Sequence, residues 1–264
     1  MSGWTGLLSA ALLVSQPGLA PEQVSAEHQP SKLDSLLAVE NYVALGRTIS
    51  TVSRQSDLRS DLDWLKLQMM DGRSAFLTML YSRLLWVAAT GLPDAEKSKL
   101  RQTAAMTTLY AYAAIAVDGS RCGDRSAPSR RLDQLMLWNP DIWPFIGSLP
   151  AIDREQVLEV AVALEKHTAA KRDLSGDIEF LCRAGLEEMD YNLKHGSSRE
   201  VPTPPGSIGR TIELSGDGKY KPSLRDEQEW RPEAAKLRSS LHSSLSQLVA
   251  AAGGVPITAA SPGK

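Results

Sequence analysis

The chain is poor in the residues from which most catalytic and cofactor sites are built. Two cysteines, Cys122 and Cys182, and four histidines, His28, His167, His195 and His242, are spread over 264 residues. None stand at zinc-ligand spacing: neither a His-Glu-x-x-His pair nor a Cys-x-x-Cys set occurs. The Gly-x-Ser-x-Gly turn of hydrolases, the Gly-x-x-x-x-Gly-Lys phosphate loop and the Gly-x-Gly-x-x-Gly dinucleotide turn are missing too. The expectation is therefore a protein with no metal and no cofactor. Aromatic residues make up only 6%, and alanine and leucine dominate the apolar set, which favours helix packing over sheet packing. A net charge of −2 supplies no basic field, so nucleic acid is not an expected partner. No apolar run approaches the roughly 20 residues that span a bilayer.

What is present is an ordinary globular composition, 42% hydrophobic and 23% charged, in a chain long enough to bury a core unaided. The first twenty residues, MSGWTGLLSAALLVSQPGLA, carry no charged side chain. An apolar stretch at 7–14 is broken by Pro17, and Gly18-Leu19-Ala20 places small residues at cleavage spacing. This pattern predicts a signal peptide, residues 1–20, and an exported protein, periplasmic or secreted. The alternative is a disordered or misassigned N-terminus, since no lysine or arginine precedes the apolar stretch.

Beyond a mobile linker at 21–31, apolar spacing predicts about seven or eight helices in a single all-α domain over 32–252. One face runs through Leu33, Leu36, Leu37, Val43 and Ile49, with a bend near Gly46. A second runs through Leu58, Leu62, Leu65 and Met69, stopped by Asp71-Gly72. Helices at 73–90 and from Pro93 onward follow. The stretch at 104–117 is apolar on every side and must be covered on several. A short helix at 131–138 precedes the turn-rich WNPDIWPFIGSLP. Asp153 and Gln156 read as a capping pair for a helix at 154–171. A further helix, capped by Ser175 and ending at Lys194-His195-Gly196, aligns Ile178, Leu181, Cys182, Leu186, Met189 and Leu193 on one inner stripe. Residues 197–229 are rich in proline and glycine and read as an irregular excursion, with RTIEL-SGDG-KYK as a small β-hairpin. A last helix spans 232–252, and 253–264 is a disordered tail.

The segment VDGSRCGDRSAPSRR, residues 117–131, is polar and contains four arginines and a cysteine. It has little apolar surface with which to pack itself. In an exported chain two cysteines predict a Cys122–Cys182 disulfide that holds this loop down; the alternative is two reduced thiols, with Cys182 buried as a small hydrophobe. Arg121, Arg125, Arg130 and Arg131 outnumber Asp118 and Asp124 by two. Guanidinium forks suit carboxylate or phosphate, so the loop is a candidate binding surface, with Trp138 and Trp143 as a flat platform nearby. Internal Asp–Arg pairing and core packing of the tryptophans are the structural alternatives. The expected function is non-catalytic binding of an acidic protein or anionic ligand in the cell envelope. A cofactor-independent hydrolase using Glu179 or Asp118 in a helical cleft is the alternative; Glu187, Glu188 and Asp190 fit a solvated helix face.

Overall fold

The computed structural model describes residues 30–50, 55–175, 178–203, 206 and 209–254. The signal segment at 1–20, most of the linker and residues 255–264 lie outside these. Among the described residues there are eleven α-helices and one two-stranded antiparallel sheet, so the all-α class holds. No described helix is long and apolar enough to cross a membrane.

The chain divides into two compact units, residues 1–111 with 149–175, and residues 112–148 with 176–264. The first contains α1 (Pro30–Ala38), α2 (Tyr42–Ser50), α3 (Gln55–Met70), α4 (Ala75–Ala88), α5 (Asp94–Asp118) as far as Ala111, and α8 (Ala151–Ser175). Its core holds Leu45, Ile49, Leu65, Met69, Leu77, Met79, Leu85 and Leu109. The expected bend near Gly46 falls instead at 39–41. Glu40 takes a left-handed φ of 52°, and Asn41 Oδ1 caps the new helix by accepting from the Ala44 N–H at 3.1 Å. Gly46 stays helical; an added Cβ there would stand 3.3 Å from the Phe76 ring, so its role is close approach of α4. Trp64 Nε1 donates to Asp34 at 2.9 Å, tying α3 to α1. Gly72, at φ 68°, ends α3 as expected.

Within this unit α8 carries an internal ion pair. Arg172 and Glu165 have side chains 4% and 2% exposed and are bonded to each other. Arg172 also donates to Thr168 Oγ1, to the Glu165 carbonyl at 3.2 Å and to the Tyr110 hydroxyl at 3.4 Å. Tyr110 and Thr168 share a 2.8 Å hydrogen bond. Every charge-bearing nitrogen named here meets an acceptor, which is the condition under which a buried pair persists.

The second unit contains the end of α5, α6 (Ser126–Trp138), α7 (Ile142–Ser148), α9 (Glu179–Cys182), α10 (Leu186–His195), strands β1 (Ser197–Val201) and β2 (Thr211–Ser215), and α11 (Glu227–Gly254). Helix α11 packs on α7, and Leu135, Ile142, Trp143, Ile146, Leu245 and Val249 are buried. Four expectations change here. WNPDIWPFIGSLP forms α7 rather than only turns. The single helix expected to end at His195 is two helices, α9 and α10, because Ala184 adopts φ 69° and Gly185 is extended. The stripe through Leu186, Met189 and Leu193 is therefore not an inner face; they are 62%, 47% and 61% exposed. The hairpin uses RTIEL as expected, but its partner is the upstream SSREV, with Ser197 opposite Ser215 and Val201 opposite Thr211. Helix α11 starts before its proline: Glu229 and Trp230 N–H groups donate to the Asp226 carbonyl, which leaves Pro232 inside the helix.

Candidate functional site

The basic segment is short in irregular structure. Helix α5 continues to Asp118, a 3-10 turn covers Gly119–Arg121 and α6 starts at Ser126, so residues 122–125 are all that remains of the loop. These are held from two sides. Cys122 is bonded to Cys182 in α9, with the Cα atoms 5.1 Å apart and 60 residues between them in sequence. Closing a loop of that length stabilises by about 4 kcal/mol in the chain-entropy account. Cys122 also forms an antiparallel bridge with Leu224, flanked by Gly123 N–H to the Ser223 carbonyl and Arg225 N–H to the Arg121 carbonyl, each 2.9 Å. Both cysteines are buried.

Asp124 organises two helix starts. Its Oδ1 accepts from the Ser126 N–H at 2.9 Å and the Ser126 hydroxyl at 2.6 Å, and its Oδ2 accepts from the Glu187 N–H at 2.8 Å. Ser126 Oγ in turn accepts from the Leu186 N–H at 2.8 Å. One carboxylate and one hydroxyl thus satisfy first-turn donors of both α6 and α10. Burial opposes ionisation of Asp124, but the hydrogen bonds from the Ser126 hydroxyl and the two backbone N–H groups outweigh it and hold the carboxyl below its ordinary range. A Cβ on Gly185 would lie 2.0 Å from Asp124 Oδ2, so only glycine lets the α10 entry approach this closely.

Neither Arg125 nor Arg130 pairs with Asp118 or Asp124 among the described residues. Arg125 forks onto Glu233 of α11, with its side chain still 55% exposed. Arg225 reaches the same carboxylate, Glu229 at 3.4 Å and the Ser120 carbonyl at 3.0 Å. Hydrogen bonds from Arg125 and then Arg225 hold the Glu233 carboxyl below its usual value. Arg121 lies over the Trp230 ring at 5.3 Å. Arg131 lies over Phe180 at 3.8 Å, donating to the Phe180 carbonyl at 2.8 Å and to Gln134 at 2.8 Å. Arg130 is exposed and makes no hydrogen bond or ion pair among the described residues.

The tryptophans do not stand together as a platform. Trp143 is 1% exposed, edge-on to Tyr112 at 6.2 Å, and its Nε1 meets no acceptor among the described residues. Trp138 is half-buried at the end of α6. Of the carboxylates considered for hydrolysis, Asp118 is buried and Glu179 pairs with Arg183 at 2.9 Å. Arg183 also donates to the Tyr220 carbonyl at 2.7 Å. No group of three or more His, Cys, Asp or Glu among the described residues could hold a metal ion.

Glu233 and Arg225 are what sequence reasoning missed. Arg125 and Glu233 are 108 residues apart, and no local spacing links them. Asp124-Arg125-Ser126 did carry a signal, since an acid two residues before a serine offers a turn-and-cap pairing. Comparison of the chain with protein-family models, with curated proteins and with solved structures returned no match.

Proposed function

We propose that this is an exported, non-catalytic binding protein whose disulfide-tethered basic surface recognises an acidic partner or ligand. One observation carries the proposal: Arg125 of the tethered segment and Arg225, next to the Leu224 bridged to Cys122, converge on a single carboxylate, Glu233. Two forks already placed around one anion cost little reorganisation to accept another, or to share theirs. Arg130 and the exposed part of Arg125 provide the first contact, and Cys122–Cys182 keeps the segment in place. The carboxyls of Asp124, Asp217 and Glu233 are each displaced downward. That direction suits acceptors of charge-assisted hydrogen bonds rather than general acids, which need raised values. Export is supported by the disulfide, a bond favoured in oxidising compartments, and by the N-terminal pattern.

The test is fluorescence anisotropy of a labelled oligoglutamate peptide titrated with the full oxidised chain. Saturable binding that weakens with added salt and is lost in R125A/R130A supports the proposal. An unchanged titration in that variant, or no binding at low salt, ends it. R131A is the wrong probe, because Arg131 also anchors the Phe180 carbonyl.

A further inference from the structure

Arginines across the chain find carboxylates: Arg125, Arg172, Arg183, Arg199, Arg225 and Arg231 each reach one. Three cations of the first unit do not. The side chains of Arg83 on α4, and of Lys97 and Arg101 on α5, have no hydrogen-bond or ion-pair partner among the described residues, yet all three residues are half-buried. The Arg101 guanidinium lies over the Trp86 ring at 4.6 Å, and its Nε is shut off from solvent without an acceptor. A desolvated donor left unpaired costs free energy. Arg101 is therefore set for an acceptor that the described chain does not supply.

The helices place the other two cations beside it. Arg83 precedes Trp86 by three residues on α4, and Lys97 precedes Arg101 by four on α5, so each shares a helix face with one member of the stacked pair. Stacking takes only the flat face of a guanidinium; the edge, which carries the N–H groups, remains for oxygen. The indole also keeps water off one side of the charge, so Arg101 is less screened than an arginine in open solvent. Asp94, one turn before Lys97, is exposed and makes no ion pair with it among the described residues, so the chain does not cancel the patch. We propose that Arg83, Lys97 and Arg101, gathered around Trp86, form an anion site that takes a phosphate group, free or as a monoester. Three uncompensated positive charges call for more than the single charge of a carboxylate. A phosphate group brings nearly two at neutral pH, with oxygens enough for a guanidinium fork and an ammonium together. The site belongs to the first unit and does not rest on the basic segment at Cys122.

Titration of the isotope-labelled, full oxidised chain with inorganic phosphate at constant ionic strength tests this. The readout is the indole N–H resonance of Trp86, identified by its absence in W86F. The expected result is a shift that saturates in the millimolar range. Glycerol phosphate binds tighter than inorganic phosphate if the group comes as an ester, and weaker if it comes free. R101Q should raise the dissociation constant at least about tenfold, the equivalent of 1.4 kcal/mol, and R83Q and K97Q several-fold each. Glutamine is a good helix former, so R83Q and K97Q keep the test valid where R101Q disturbs the packing on Trp86; an unchanged far-UV circular dichroism spectrum checks the fold. A shift that rises without saturating for both probes overturns the proposal. So does a saturable shift that R83Q and K97Q leave unchanged, or acetate binding as tightly as phosphate.

Discussion

Helices α8 and α10 each invert the usual relation between polarity and burial, in opposite senses. Helix α8 holds an ion pair inside its unit, with Arg172 and Glu165 nearly inaccessible. Helix α10 holds leucines outside, with Leu186 and Leu193 more than half exposed. The difference is completeness. The α8 pair is closed: Thr168, Tyr110 and the Glu165 carbonyl accept from one terminal nitrogen of Arg172, and the Glu165 carboxylate accepts from the other. It needs nothing from outside and is part of the interior. The α10 stripe is open, because the contacts that seat the helix, Glu188 with Arg183 and Tyr191 with Asp217, use its other face. Buried charge that is fully bonded reports on folding, and exposed apolar surface that is not covered does not.

Four experiments break or sharpen that contrast. The largest effect is expected from E165Q, which leaves Arg172 buried without its counter-ion and should lower unfolding free energy by about 3–5 kcal/mol in denaturant titration. E165L/R172M, which removes both charges, should recover most of that loss; failure to recover would mean the pair does more than neutralise itself. Next, C122S/C182S should cost up to about 4 kcal/mol by the same titration, with the loss in the second unit. A smaller effect belongs to Asp124. D124A removes caps from α6 and α10 and should cost about 1–2 kcal/mol at neutral pH. Its folded-state ionisation is displaced downward, so the stability it supplies is present above its ordinary pKa of about 3.9 and disappears as pH falls through the lower folded value. The melting temperature of the wild type should therefore fall more steeply than that of D124A below about pH 4. The smallest effect is at Leu193: L193S should change stability by less than about 0.5 kcal/mol, in contrast to any residue of the α8 network.

Helical periodicity made most of the first unit legible, including α3 with its stop at Gly72, α4 and the all-round apolar α5. Cysteine parity made the disulfide legible. The errors have local causes. The stripe from Ile178 to Leu193 keeps helical spacing through a place where the backbone does not, and the warning was Gly185, a glycine inside a helical pattern. At β1 the strand partner was sought downstream because a glycine-rich turn lay there, whereas SSREV carries no alternating apolar pattern and pairs through cross-strand Arg199–Glu213 and Arg210–Glu200 contacts. The arginines were visible, but their partner was not. Glu233 belongs to α11, and only the folded backbone brings it to Arg125.

The Cys122–Cys182 bond makes the chain from α6 through α9 a covalent ring. A protease that cuts a peptide bond between residues 123 and 181 therefore releases nothing. The nicked product would migrate as one species on a non-reducing gel and fall into two only after reductant is added. Proteolytic damage in that stretch thus leaves the pieces joined until the sulfur–sulfur bond is opened, and they part only when both bonds are broken, in either order.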